Sequence, residues 1–254
     1  MKTSYQQQTN YYHATTLLDT CMGSIHAAND SYGRDSHRVF HRRDNLLCAG
    51  DFFEGVYILR SGSAKSYVAS RDGEEHITKF HYPGDILGID GFNGKMHTQT
   101  TCFLETSSVC LIKESEINSL MQTNSDFREG LLQSMSHTLA CDGAMMMCLS
   151  TCSSEQKVAR FLLDLSIGFS ERGLSGSEFM LSMTRTDIAN YLGMAIETVS
   201  RVFASFQQRK IIVVQLRYLS ILDLAALNRG VVVDVCSHPI MGRSLPKKAM
   251  LAMN

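Results

Sequence analysis

No apolar run in the 254-residue chain approaches the roughly 20 residues needed to cross a bilayer. The opening residues, MKTSYQQQTNYYHATT, lack the basic-then-apolar layout of an export signal. Both absences predict a soluble, cytoplasmic protein with no membrane partner. None of the eight cysteines (Cys21, Cys48, Cys102, Cys110, Cys141, Cys148, Cys152 and Cys236) forms a C-x-x-C pair. Without an export signal they do not read as a disulfide framework, and several are expected to pack as small hydrophobes. Cys148 and Cys152 stand four apart, a helical spacing that suits packing better than metal binding. There is no nucleophile–base pair, phosphate loop or HExxH motif, so no catalytic residue is assigned and an enzyme is not expected. Only three prolines occur, two of them beyond Arg229 in a tail without clear periodicity.

Charge is sparse, at 19% of residues with a net value of −1, which speaks against a chain that binds polyanions over its whole surface. The distribution is uneven. Between Thr184 and Arg217 stand Arg185, Arg201, Arg209, Lys210 and Arg217 against Asp187 and Glu197, a local excess of three positive charges. A local basic face is what phosphate contacts require.

The chain divides by texture. Residues 1–37 are polar and poorly periodic, an N-terminal arm. Residues 38–114 alternate in the manner of short strands around Val56, Ile58, Tyr67, Ile77 and Phe80. Turns are signalled at Arg71-Asp72-Gly73 and at Tyr82-Pro83-Gly84-Asp85. Many short strands at near-regular spacing predict a small β-barrel or jelly roll. Residues 115–152 turn helical: Leu132, Met135, Leu139, Met146 and Leu149 follow helical spacing, and Met145 to Leu149 is apolar all round. Such a helix needs cover from beyond its own surface. A dimer coiled coil would supply it, and so would a position across the barrel. In residues 153–228, Val158, Phe161, Leu162 and Leu165 mark a further amphipathic helix. ERGLSGSE reads as a connection. Thr184 with Asp187 forms a capping-box pattern opening a short helix to Tyr191. Leu192-Gly193 is a turn, Ala195 to Gln208 a second helix, and Ile211–Val214 with Tyr218–Ile221 a small hairpin. Residues 229–254 are the tail. The fold class is thus α+β: a β-barrel domain, a long helix and a C-terminal winged helix-turn-helix.

That last arrangement lays its second helix in the major groove of DNA. The outward face would hold Glu197, Thr198, Ser200 and Arg201, while Ile196, Val199, Val202, Phe203 and Phe206 pack on the domain. Arg201 can donate two hydrogen bonds to O6 and N7 of guanine, and Glu197 can accept from N4 of cytosine. A good bidentate contact of this kind is worth roughly 1–3 kcal/mol of base discrimination. The competing reading is a surface Glu–Arg pair at i, i+4, worth about 0.3–0.5 kcal/mol.

The segment TRTDIANYLGMAIETVSRVFASFQ resembles the DNA-binding element of the CRP/FNR transcription regulators, particularly the FNR branch, whose E-x-x-S-R motif stands here as Glu197, Ser200 and Arg201. Leu47-Cys48-Ala49-Gly50-Asp51, Arg60-Ser61-Gly62, Lys65-Ser66-Tyr67, Gly84-Asp85 and Leu104-Glu105-Thr106 resemble the family's cyclic-nucleotide-binding-like sensor. The resemblance covers about residues 38–228. It implies a homodimer held by the long helix, activating or repressing transcription from a palindromic operator with TTGAT-type half-sites. Thr184 and Arg185, at the start of the first helix of the motif, join the candidate DNA contacts. It also implies an RNA polymerase contact through Ser70, Arg71, Asp72, Gly73 and Glu74. There Gly73 and the acid are kept, and Ala69 is smaller than the family's usual residue.

The sensor departs from the family. An iron–sulfur cluster of the FNR type takes four thiolates, three near the N-terminus and one in the barrel. Here only Cys21 and Cys110 match, which speaks against a 4Fe-4S cluster. Cys48 and Cys102 stand where the family places no ligand. His13, His26, His37 and His41 could join Cys21 around a metal, or simply be solvated. The alternative reading is therefore a metal, iron–sulfur or haem redox-sensing protein in which ligand binding is primary. Cyclic AMP is not expected either. Its pocket uses an arginine, and neither Gly84-Asp85-Ile86-Leu87-Gly88 nor Met96-His97-Thr98-Gln99-Thr100-Thr101 contains one.

Overall fold

In the computed structural model, which describes residues 37–229, the alternating stretch becomes eight strands. They are β1 (His37–Phe40), β2 (Asn45–Leu47), β3 (Gly55–Ser61), β4 (Ala64–Ala69), β5 (Glu75–His81), β6 (Ile86–Leu87), β7 (Thr100–Phe103) and β8 (Ser107–Lys113). They form two four-stranded antiparallel sheets, ordered β1-β8-β3-β6 and β2-β7-β4-β5. This is a jelly roll whose two sheets face each other without closing into one continuous barrel. Leu47, Tyr57, Leu59, Ala64, Leu87, Phe103, Val109 and Leu111 fill the space between them. The opposite side of β3 and β8 is apolar too. Val56, Ile58 and Ile112 pack, with Phe53, against Ile117, Phe127 and Leu131 from the helices that follow. A strand covered on both faces loses its alternation, which is why GVYIL reads as a continuous apolar run. Both turns fall where the sequence put them. Gly73 takes a positive φ of 83° in the β4–β5 hairpin, and Gly84 one of 97° ahead of β6.

A single turn, α1 (Gly91–Gly94), crosses one end of the jelly roll. The helical texture after Ser115 then divides in two, α2 (Glu114–Thr123) and α3 (Ser125–Thr151). The break is at Asn124, whose backbone is extended and whose side chain accepts from Phe127 N at 2.9 Å, an N-cap. On α3, Phe127, Gly130, Leu131, Ala144 and Cys148 are buried against the same protomer. Leu132, Met135, Leu139, Met146 and Leu149 stay exposed, Leu139 at 72% and Met146 at 70%. The helix therefore packs on its own protomer with one face only, and on the sheet through Phe127 and Leu131 in its first turns.

The C-terminal part comprises α4 (Ser154–Glu171), β9 (Glu178–Met180), α5 (Arg185–Tyr191), α6 (Ile196–Gln208), β10 (Ile212–Gln215), β11 (Tyr218–Ile221) and α7 (Leu224–Arg229). ERGLSGSE is a connection only in part. Its last residue opens β9, which pairs with β11 and makes the wing a three-stranded sheet, β10-β11-β9. Val158, Phe161, Leu162 and Leu165 are buried as their spacing required, together with Ile188, Leu192, Val199, Phe203, Phe206, Ile212 and Leu219.

This core does not stop at the domain edge, since Ile77 and Phe80 of β5 belong to it. The Phe80 ring meets Tyr191 at 5.1 Å and Phe161 at 6.0 Å between centroids. Polar contacts surround it. Lys65 of β4 pairs with Asp187 of α5 at 2.9 Å. The Asn190 amide accepts from Ile77 N and donates to Glu75 O, both at 2.6 Å. Arg172 donates to Pro83 O at 2.8 Å and to Asp85 at 2.7 Å. The helix-turn-helix is thus seated on the outer edge of β5.

Candidate DNA interface

Local chemistry fixes the two helices of the motif. Thr184 Oγ1 accepts from Asp187 N at 3.1 Å and the Asp187 carboxylate accepts from Thr184 N at 2.9 Å, a reciprocal cap. Partial burial alone would raise the Asp187 pKa. The hydrogen bonds from Thr184 and Lys65 outweigh it and hold the carboxyl below its ordinary range. The turn is closed by Gly193, whose φ of 60° suits a residue without a Cβ, and by Met194 N donating to Ala189 O at 2.9 Å. Ala195 then starts α6.

Val199, Phe203 and Phe206 of α6 are buried and Val202 is partly so, as expected. Ile196 departs from the expectation. It lies in the first turn, ahead of the packed core, and stays 39% exposed. Glu197, Ser200 and Arg201 are exposed and Thr198 half-exposed, so the structure brings these four together on the free face of α6. Arg201 Nε donates to the backbone carbonyl of Glu197 at 3.3 Å rather than to its carboxylate. The two side chains form no i, i+4 ion pair with each other in this arrangement.

The remaining predicted contacts sit differently. The Thr184 hydroxyl is engaged in its cap, donating to Asp187 at 2.6 Å. The Arg185 guanidinium lies over the Phe203 ring, 3.4 Å from its centroid. Burial lowers its pKa to about 10, which still leaves it cationic at neutral pH. Arg185 thus ties α5 to α6 from within the motif. Arg209 pairs with Glu155. Arg217 is exposed at the tip of the wing, beside the fully exposed Leu216. Sequence patterning missed Lys65 and Asn190, which hold the motif on the sensor. Nothing local marks them, because their partners lie more than a hundred residues away in the chain.

Arg71, Asp72, Gly73 and Glu74 are exposed at the tip of the β4–β5 hairpin, with Ser70 partly buried at its base. Ser70 N donates to Glu74 O at 2.8 Å and Glu74 N to Ser70 Oγ at 3.2 Å, so the loop has a defined shape.

For the cluster, Cys110 is buried in β8, opposite His37 of β1. His37 Nε2 lies 2.7 Å from the Arg60 guanidinium, a neighbour that disfavours a bound cation, and His41 is exposed. Cys21, His13 and His26 lie outside the described residues. Among the described residues no three His, Cys, Asp or Glu side chains converge as metal ligands. In the stretch where a nucleotide phosphate would sit, the Asp90 carboxylate is engaged by Thr98 N (2.7 Å), Gln99 N (3.1 Å) and His97 Nδ1 (3.3 Å). Among the described residues no helix is long and apolar enough to cross a membrane.

Comparison with known proteins agrees with this architecture. A cyclic nucleotide-binding domain model matches residues 37–124 and a Crp-like helix-turn-helix domain model matches residues 156–229. The transcriptional activator protein Anr of Pseudomonas protegens is 40% identical over 196 residues, 76% of this chain and 80% of that protein. The fumarate and nitrate reduction regulatory protein of Vibrio cholerae is 41% identical over 190 residues, 75% of this chain and 76% of that protein. Among solved structures, FixK2 from Bradyrhizobium japonicum superposes with a TM-score of 0.71 at 24% identity, over 78% of this chain and 98% of that one. The chain is a DNA-binding transcription regulator, not an enzyme, and it belongs to the CRP/FNR family, on its FNR-like side.

Proposed function

We propose that the chain works as a homodimer that reads a palindromic operator with TTGAT-type half-sites and meets RNA polymerase through Ser70–Glu74. The observation that carries the reading is the free face of α6. Glu197, Ser200 and Arg201 are exposed, sit one helical turn apart, and are not spent on each other. A TTGAT half-site offers one guanine to Arg201 and the paired cytosine to Glu197. Homodimerisation is supported by the exposed stripe Leu132, Met135, Leu139 and Met146 on α3. An apolar helix face of this length is covered in water by another such face. The polymerase contact is supported by the exposure and fixed backbone of the β4–β5 tip.

Arg201→Ala tests the reading. Loss of one bidentate guanine contact costs roughly 1–3 kcal/mol, about 5- to 150-fold in affinity, on the palindrome. Random DNA of the same length should lose much less. Equal weakening on both would mean that Arg201 meets phosphate and that sequence is read elsewhere.

A further inference from the structure

Two cysteines of α3, Cys141 and Cys148, lie on the face turned away from the exposed apolar stripe, and a third, Cys152, caps the helix. Cys141, Cys148 and Cys152 are spaced by seven and four residues, and Cys141 stands roughly 200° round the helix from Leu139. Two of them meet at the point where α3 hands over to α4. Cys152 is the C-cap of α3, with extended backbone, and its N–H donates to Cys148 O at 3.0 Å. The neighbouring Cys152 thiol also pushes up the titration of Cys148. The next residue, Ser153, caps α4, accepting from Gln156 N at 3.3 Å while Gln156 accepts from Ser153 N at 2.8 Å. Cys148 is 2% exposed and Cys152 partly exposed. Across the junction lies the Arg160–Asp164 pair, at 2.7 Å.

We propose that Cys148 and Cys152 form a redox-modification site, in which a hydroperoxide closes an intrachain disulfide across the α3–α4 junction and so changes DNA binding. Cys152 is the sulfur a small oxidant can reach. Its thiolate attacks the peroxide, the O–O bond breaks, an alcohol or water leaves, and Cys152 becomes a sulfenic acid. The Cys148 sulfur then attacks the sulfenic sulfur, the S–O bond breaks, and the departing hydroxide takes the Cys148 proton as a second product, water. Two thiols are oxidised by two electrons and one peroxide is reduced. Burial, with the neighbouring Cys152 thiol, holds the Cys148 thiol up at about 11, and the Arg160 guanidinium opposes that shift. Cys148 therefore resolves and does not initiate.

Geometry couples this bond to the DNA-binding domain. Helical residues four apart keep their Cβ atoms roughly 5–6 Å apart. A disulfide needs about 3.5–4.5 Å. A bond that short draws Cys152 towards Cys148, and Ser153, which caps α4, is the adjacent residue. The N-terminal turn of α4 must shift, and α4 carries Phe161 and Leu165 of the helix-turn-helix core.

The test uses the full chain, reduced and then exposed to hydrogen peroxide. The tryptic peptide spanning residues 129–157 should become two daltons lighter, with no fragmentation between 148 and 152, and should revert with dithiothreitol. Amide exchange should quicken in the first turn of α4, and DNA affinity should fall by about tenfold. Cys148→Ser and Cys152→Ser should each abolish all three changes while binding DNA normally when reduced. A bond through Cys141 instead, no bond, or a bond with unchanged affinity would each overturn the proposal. The effect on DNA rests on the functional reading above, so the reduced protein is assayed first. Failure of that protein to prefer the palindrome defeats the operator assignment and leaves the disulfide measurement standing.

Discussion

Asn190→Ala should loosen the helix-turn-helix from the sensor by a calculable amount. The Asn190 amide takes the place of a peptide group on the outer edge of β5, accepting from Ile77 N and donating to Glu75 O, both at 2.6 Å. β5 is the last strand of its sheet, so this edge has no neighbouring strand. Each hydrogen bond contributes about 1 kcal/mol net, which puts the pair at about 2 kcal/mol. At 1.4 kcal/mol per tenfold, that is a shift of about 30-fold in the docking equilibrium. The Ile77 amide loses its own acceptor in the variant, so its exchange should rise by at least that factor. Exchange at Ile77 should speed up by about 30-fold or more in the variant, while Leu59, whose N–H donates to Asp85 O at 3.0 Å, keeps wild-type protection. Unchanged exchange at Ile77 in a folded variant would refute the argument. The aromatic triangle of Phe80, Phe161 and Tyr191 would then hold the domains without help from the amide.

Two further outcomes can be measured. Leu139→Glu places a charge in the exposed stripe of α3, and because Leu139 is 72% exposed the protomer should keep its stability within about 0.5 kcal/mol. Sedimentation should nevertheless show monomers, and a persisting dimer would place the interface elsewhere. His81 is buried, with Nε2 bonded to Ser66 at 2.8 Å, and burial, aided by Lys79, lowers its pKa to about 4. Its folded pKa lies below the ordinary value of 6.5, so its contribution is complete above pH 6.5 and is lost as pH falls towards 4. The loss amounts to about 3 kcal/mol, read as the difference between wild-type and His81→Gln urea midpoints across that range. Parallel curves would mean that His81 is charged in the fold.

Much of this molecule can be read from local pattern. The Thr184–Asp187 cap, the Gly193 turn and the buried positions of α4 and α6 each depend on residues within one or two turns of one another. Short-range physics fixes them, and they came out as expected. The elements that escaped are those set by distant partners. β9 is three residues long and exists because β11 offers it an edge. The split between α2 and α3 rests on the extended backbone of Asn124, whose side chain accepts from Phe127 N. Ile196 and Arg185 show the same limit at the candidate site. Composition suited Ile196 to the core, and its place in the first turn of α6 leaves it exposed; Arg185 lies over the Phe203 ring, a contact that no local pattern marks.

These placements converge on the β4–β5 hairpin. Its tip is the exposed Ser70–Glu74 loop and its outer edge carries α5 through Asn190. On its inner side Ser66 bonds both His81 and Thr101 at 2.8 Å, within the sensor. Lys65, next to Ser66 and pointing the other way along the pleat, reaches Asp187, which is at once the cap of α5. The one hairpin therefore joins three things: the exposed tip, the seat of the first helix of the DNA-binding motif and the buried Ser66 bonds, with an irregularity in its register between Ser66 and Tyr67.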